Sequence, residues 1–132
     1  MPTMANITVK KNDGTTDQVY TVATASGGDK APAVWRNNSV GTAVAHRPTF
    51  KCSARANGTG SARRVDTEMV WPYTVTGTDG KISVVDKAIF TGSFLLPNGM
   101  PLTEVNEAVA QAMNLLASAL IKSAHQEGFA PA

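Results

Sequence analysis

The stretch from Thr49 to Trp71, TFKCSARANGTGSARRVDTEMVW, alternates between apolar and polar positions along both of its arms. In the first arm Phe50, Cys52 and Ala54 interleave with Thr49, Lys51, Ser53 and Arg55; in the second, Val65, Thr67, Met69 and Trp71 interleave with Arg64, Asp66 and Glu68. A period of two marks a strand with one face against a core, because successive side chains of a pleated backbone point to opposite sides. The segment from Asn57 to Ser61, with Gly58 and Gly60, predicts the turn between the arms. A third run, KISVVDKAIFTGSFLL, places Ala88, Phe90, Gly92, Phe94 and Leu96 on one side and Lys87, Ile89, Thr91, Ser93 and Leu95 on the other. Three consecutive strands thus share an apolar face and a face that is mostly small, polar or basic.

Upstream, ITVKKNDGTTDQVYTV has β-rich arms around Asn12-Asp13-Gly14 and predicts an N-terminal hairpin over 7–22. ATASGGDKAPAVWRNNS suits an irregular connection, with Val34 and Trp35 starting a short strand and Trp35 serving as an apolar anchor. After Trp71-Pro72, YTVTGTDGK is either a small hairpin tip or a long loop. LPNGMPL stops the sheet. Thr103 is then the expected N-cap of a helix, with Glu104 and Glu107 in its first turn, where the helix dipole favours anions. Val105, Ala108, Val109, Ala112, Met113 and Leu116 follow helical spacing, a break near Ala117-Ser118 would make the helix two, and Gly128 ends it. The plan is α+β, a single domain over 1–132: an N-terminal β-hairpin, an antiparallel meander sheet over 47–96, and one or two C-terminal helices over 103–127. Those helices are the evident cover for the apolar strand faces, which leaves the opposite face to water or to something that is not protein.

Size sharpens the packing problem. A lone chain of 132 residues buries only about two-thirds of the surface its unfolded form exposes, so its core is thin. The single cysteine, Cys52, makes no intrachain disulfide, which favours a reducing compartment; a bridge between subunits is the minority alternative. No apolar run approaches membrane-spanning length, and MPTMANITVK lacks the charged start and apolar stretch of a secretory signal. Net charge is +2, yet the charges are segregated. From Lys30 to Arg64 there are seven basic residues (Lys30, Arg36, Arg47, Lys51, Arg55, Arg63 and Arg64) and no acidic one. This block overlaps the alternating arms, so its charge can gather into a surface patch.

Candidates for chemistry are sparse. His46 and His125 are far apart, Cys52 is on the apolar parity, and none of the zinc-hydrolase, paired-cysteine or phosphate-loop patterns is present. Asp66 and Glu68 share a strand face, and contacts with Lys51, Arg55 or Arg64 are a better account of them than a catalytic carboxylate pair. No enzyme activity, metal or cofactor is expected.

With these elements placed, the whole chain resembles the coat proteins of small single-stranded RNA bacteriophages. The points of similarity are the early hairpin with its Asp-Gly turn, Trp35 after a loose connection, KCSAR leading into a Gly/Ser turn and ARR, strands ending at Pro72 and Pro97, and the C-terminal helices. The resemblance implies an interlocked homodimer with a continuous sheet, in which each subunit's helices lie across its partner's sheet. Dimers then close into an icosahedral shell, assembled in the bacterial cytoplasm and found in the virion. Tyr73, Thr74, Val75, Thr76, Gly77, Thr78, Asp79 and Gly80 resemble the loop through which dimers meet, and glycines there would permit the several conformations that quasi-equivalent positions require.

The polar sheet face would line the shell and bind single-stranded genomic RNA, including a stem-loop whose binding represses translation. Matched by position, the implied RNA-binding residues are Thr49, Lys51, Ser53, Arg55, Arg64, Thr91 and Ser93. Lys and Arg neutralise phosphates, and hydroxyls bond sugars or unstacked bases. Two departures stand out: Ile89 occupies the place of a base-stacking tyrosine, and Asp66 and Glu68 stand where polar or basic residues are usual. Two other readings compete with a shell-forming protein, namely a dimeric RNA-binding module that never assembles and a small-ligand or enzyme domain with a pocket between sheet and helix. Particle formation separates the first from both; nuclease-sensitive RNA that co-purifies separates the module from the pocket.

Overall fold

A computed structural model describes residues 1–41 and 43–132. Six antiparallel strands pair in chain order: β1 (Ile7–Lys10), β2 (Asp17–Thr24), β3 (Ala33–Arg36), β4 (Thr49–Ala56), β5 (Ala62–Thr76) and β6 (Ile82–Pro97). Two helices follow, α1 (Leu102–Leu116) and α2 (Ala119–Glu127), and a short 3₁₀ turn at Val44–His46 lies between β3 and β4. The expected α+β plan of hairpin, meander and C-terminal helices, two in number, is what the chain adopts.

Local chemistry accounts for the turns. In the β1–β2 turn the Asp13 carboxylate accepts hydrogen bonds from the backbone N–H groups of Thr15 and Thr16, both at 2.9 Å, and from the Thr16 hydroxyl at 2.6 Å. These donors hold the Asp13 carboxyl well below its usual range, led by the Thr16 hydroxyl. Asn37 anchors the next connection and is 1% exposed. Its amide donates to Gln18 Oε1 at 2.9 Å, its Oδ1 accepts from Ser39 N and Oγ, and its backbone N–H bonds Pro48 O. Trp35 packs against Phe50 with ring centroids 5.7 Å apart and donates its indole N–H to Ala5 O at 2.8 Å, which ties the N-terminus to the sheet.

β5 outruns its expected end. Pro72 lies inside the strand, tolerated because the last β4 pair is Thr49 with Val70, so Pro72 stands beyond the β4 ladder. The segment from Tyr73 to Gly80 is therefore strand as far as Thr76, and the reversal is confined to Gly77, Thr78, Asp79 and Gly80. Gly77 N bonds Lys81 O at 2.8 Å, Lys81 N bonds Asp79 Oδ1 at 3.0 Å, and Gly80 takes a φ of 78°, a conformation that favours glycine.

The residues from Leu96 onward form a second compact unit. The N-cap of α1 falls two residues earlier than expected: it is Pro101, without a side-chain bond, and Thr103 lies in the first turn beside Glu104. The Pro101 carbonyl accepts from Glu104 N at 3.0 Å and from Val105 N at 3.1 Å, so the helix opens on backbone bonds alone. The break falls at Ala117–Ser118, where the Ser118 hydroxyl caps α2 by accepting from Ile121 N at 3.4 Å. Gly128 N and Phe129 N both bond Ala124 O, a paired closure typical of a helix C-terminus.

Burial is scant. Among the described residues the buried apolar side chains are Tyr20, Ala33, Pro48 and Ala62, while Trp71 and Phe90 on the sheet and Leu116, Leu120 and Phe129 in the helical unit are exposed.

Candidate nucleic-acid interface

β4 and β5 pair so that Lys51 stands opposite Glu68, Ser53 opposite Asp66, and Arg55 opposite Arg64. Directly opposed residues share a face, so the polar positions of both strands form one surface, and Phe50–Met69, Cys52–Thr67 and Ala54–Val65 form the other. β6 adds Ser93, whose hydroxyl accepts from Arg64 Nε and donates to Asp66 Oδ1, both at 2.8 Å. Gly92 belongs to the opposite face: a Cβ there would come within 3.2 Å of Thr67 Oγ1 and 3.3 Å of the Phe90 ring. The alternation read from the sequence thus places each strand's side chains as expected.

Lys51, Ser53, Thr91 and Ser93 line a shallow depression of about 400 Å³, with Asp66 and Glu68 in the same wall. Thr49 lies beyond one end of it, paired with Val70, and Arg55 and Arg64 lie beyond the other. The sheet thus brings all seven predicted residues onto one face but only four into the depression. Ile89 is exposed on β6, on the strand parity of Thr91 and Ser93. Sequence reasoning did not single out Arg36, which pairs with Thr49 and so shares the polar face. Its Nε is buried without a hydrogen-bond partner among the described residues. Arg36 stands on a separate short strand, and its membership of the basic block was the available signal.

The charges are partly spent within the face. Asp66 lies 3.7 Å from Arg55 and 3.5 Å from Arg64, so one carboxylate serves two guanidiniums. Arg63 points away from this network and pairs with Asp29 at 2.6 Å; its hydrogen bond holds the Asp29 carboxyl below the usual range. Lys51 and Glu68 face each other across the ladder, yet neither makes an ion pair or side-chain hydrogen bond among the described residues. On the apolar side, burial first and the charge of Asp66 second raise the Cys52 thiol, which makes it a poor nucleophile.

The sequence model described as levivirus coat protein matches residues 2–128. No curated protein matches the chain in sequence. Among solved structures, the virus-like particle of Beihai levi-like virus 21 superposes with a TM-score of 0.82 at 20% identity, covering 99% of this chain and 98% of that one. The particle of bacteriophage NT-214 gives 0.82 at 16% identity, with 99% and 100% covered. The protein capsid of bacteriophage GA gives 0.73 at 17%, with 94% of each chain covered. At these identities the structural likeness is one of fold.

Proposed function

The chain belongs to the levivirus coat protein family and is a structural capsid protein, and from that premise we propose that it packages single-stranded RNA against the polar face of its sheet. The observation that carries this reading is the convergence of Lys51, Ser53, Thr91 and Ser93 on one depression, flanked by Arg55 and Arg64. Cations there neutralise phosphates, while hydroxyls and the hollow accept sugars and unpaired bases. Ile89 offers no aromatic ring for stacking, a contact worth about 1–3 kcal/mol per base, so packaging is a stronger expectation than repression of one message through a stem-loop.

The unit of assembly is an interlocked dimer. Its support is the exposed apolar surface that each chain carries, Trp71 and Phe90 on the sheet and Leu116, Leu120 and Phe129 in the helical unit. Laying each subunit's helices across its partner's sheet buries both sets at once, through an obligate interface on the order of 2,000 Å² or more. The turn from Gly77 to Gly80, with the flanking strand residues Tyr73, Thr74, Val75 and Thr76, meets other dimers around the symmetry axes of an icosahedral shell. Assembly then proceeds in the bacterial cytoplasm.

The test is expression of the chain alone in bacteria, followed by light scattering, negative-stain microscopy and measurement of RNA per particle for the wild type and for Arg55→Ala/Arg64→Ala. Uniform shells containing RNA, with less RNA in the double variant and an unchanged dimer, are expected. Unchanged RNA content would overturn the assignment of the face. A lone dimer at every salt and protein concentration would favour a binding module that does not assemble.

A further inference from the structure

We propose that the depression on the polar face selects an unpaired guanine, with Glu68 and Lys51 as the reading pair; this rests on the RNA-face reading above. The two carboxylates in the wall are not equivalent. Asp66 is committed to Arg55, Arg64 and the Ser93 hydroxyl. Among the described residues, half-buried Glu68 and Lys51 directly opposite it make no ion pair and no side-chain hydrogen bond. The hollow thus offers one uncommitted anion beside one uncommitted cation, with the hydroxyls of Ser53 and Thr91 around them.

A carboxylate in an RNA site is costly unless it is answered by donors, since it repels phosphate and any base acceptor turned toward it. The Watson–Crick edge of guanine answers it best. N1–H and the N2 amino group are adjacent donors that bond a carboxylate in parallel, and O6 beside them accepts from an ammonium. Adenine presents one amino donor next to the N1 acceptor, and cytosine one next to the N3 acceptor. Uracil presents a single N–H flanked by two carbonyl oxygens. Each of these three sets a lone pair against Glu68. Guanine alone gives Glu68 two parallel donors while giving Lys51 an acceptor, where each of the others gives Glu68 one, and only unpaired bases expose this edge to a protein.

The experiment uses the full chain held at nanomolar concentration, with light scattering confirming that shells are absent. Binding is measured to four RNA octamers, all uridine or with one central guanine, adenine or cytosine, for the wild type and Glu68→Gln. The wild type is expected to favour the guanine octamer by about tenfold or more, the discrimination of a good bidentate contact. Glu68→Gln is expected to remove that preference while tightening binding to the all-uridine octamer, because a repulsive charge has gone. Equal binding of all four by the wild type, or a guanine preference that survives in Glu68→Gln with an unchanged hydrodynamic size, would overturn the guanine assignment alone. Failure of every octamer to bind would overturn the RNA-face reading and this inference with it.

Discussion

Asp66→Asn isolates how the polar face manages its own charge. On β4 and β5 the polar face carries three cations, Lys51, Arg55 and Arg64, with Asp66 within 3.7 Å of both arginines; Arg36 on β3 and Glu68 are common to wild type and variant. One carboxylate thereby offsets one of three positive charges, leaving two effective phosphate partners per subunit and four per dimer. Asparagine keeps the shape and an acceptor for the Ser93 hydroxyl but removes the charge, so the dimer should present six. Single-stranded binding loses about 0.7 of a log unit in affinity per log unit of salt for each contact, so the slope should steepen from about −3 to about −4. Between 50 and 200 mM salt that corresponds to losses of about 50-fold in the wild type and about 300-fold in the variant. The assay is filter binding of a uridine oligomer to unassembled protein across this salt range. The variant should bind tighter at the low-salt end. An unchanged slope would mean that Arg55 and Arg64 do not reach phosphates, and a weaker, shallower titration would mean that Asp66 positions the arginines rather than restraining them.

Other perturbations bear on the fold and its assembly. Asn37→Ala strips the side-chain amide that bonds Gln18 and Ser39 and leaves only the backbone bond to Pro48; a loss of about 1–3 kcal/mol in denaturant unfolding is expected. Asp13 has a depressed carboxyl, so the stability it lends is present above its ordinary value of 3.8 and is lost as pH falls below it. Asp13→Asn should therefore flatten the acid limb of thermal stability measured against pH, and an unchanged limb would refute the role assigned to that turn. Leu120, 63% exposed in the single chain, should be covered in the dimer, so Leu120→Ser should raise the dimer dissociation constant measured by ultracentrifugation, at about 1.5–3 kcal/mol per buried side chain.

The parity of the strands was legible because side-chain direction in a strand is a strict two-residue alternation. Phe50 and Lys51 fall on opposite faces whatever the neighbours do, and the break at Ser118 likewise followed from local capping chemistry. What local patterns do not carry is register. That Asp66 meets Ser93, or that Arg63 leaves the basic block to pair with Asp29, depends on which residues the sheet sets side by side across 27 and 34 positions of chain. The same limit explains Pro72. A proline reads as a strand end, but whether its missing N–H matters depends on where the neighbouring ladder stops, and β4 stops at Thr49. Arg36 was passed over because the face it joins is defined by pairing with β4 and not by anything in its own four-residue strand.

The distribution of apolar surface joins folding to assembly. A sheet of six strands normally hides one face, yet here the buried apolar side chains among the described residues are Tyr20, Ala33, Pro48 and Ala62, and large side chains on the sheet and in the helical unit stay open. Covering them by a second copy makes stability a function of protomer concentration, since a subunit that binds only the folded state stabilises it by mass action. The unfolding midpoint should therefore rise with protein concentration, and separation of the dimer should accompany loss of the sheet rather than precede it. If circular dichroism at nanomolar concentration showed a folded monomer as stable as the dimer, the open apolar surface would have some role other than dimer formation, and the interlocked arrangement would lose its main physical support.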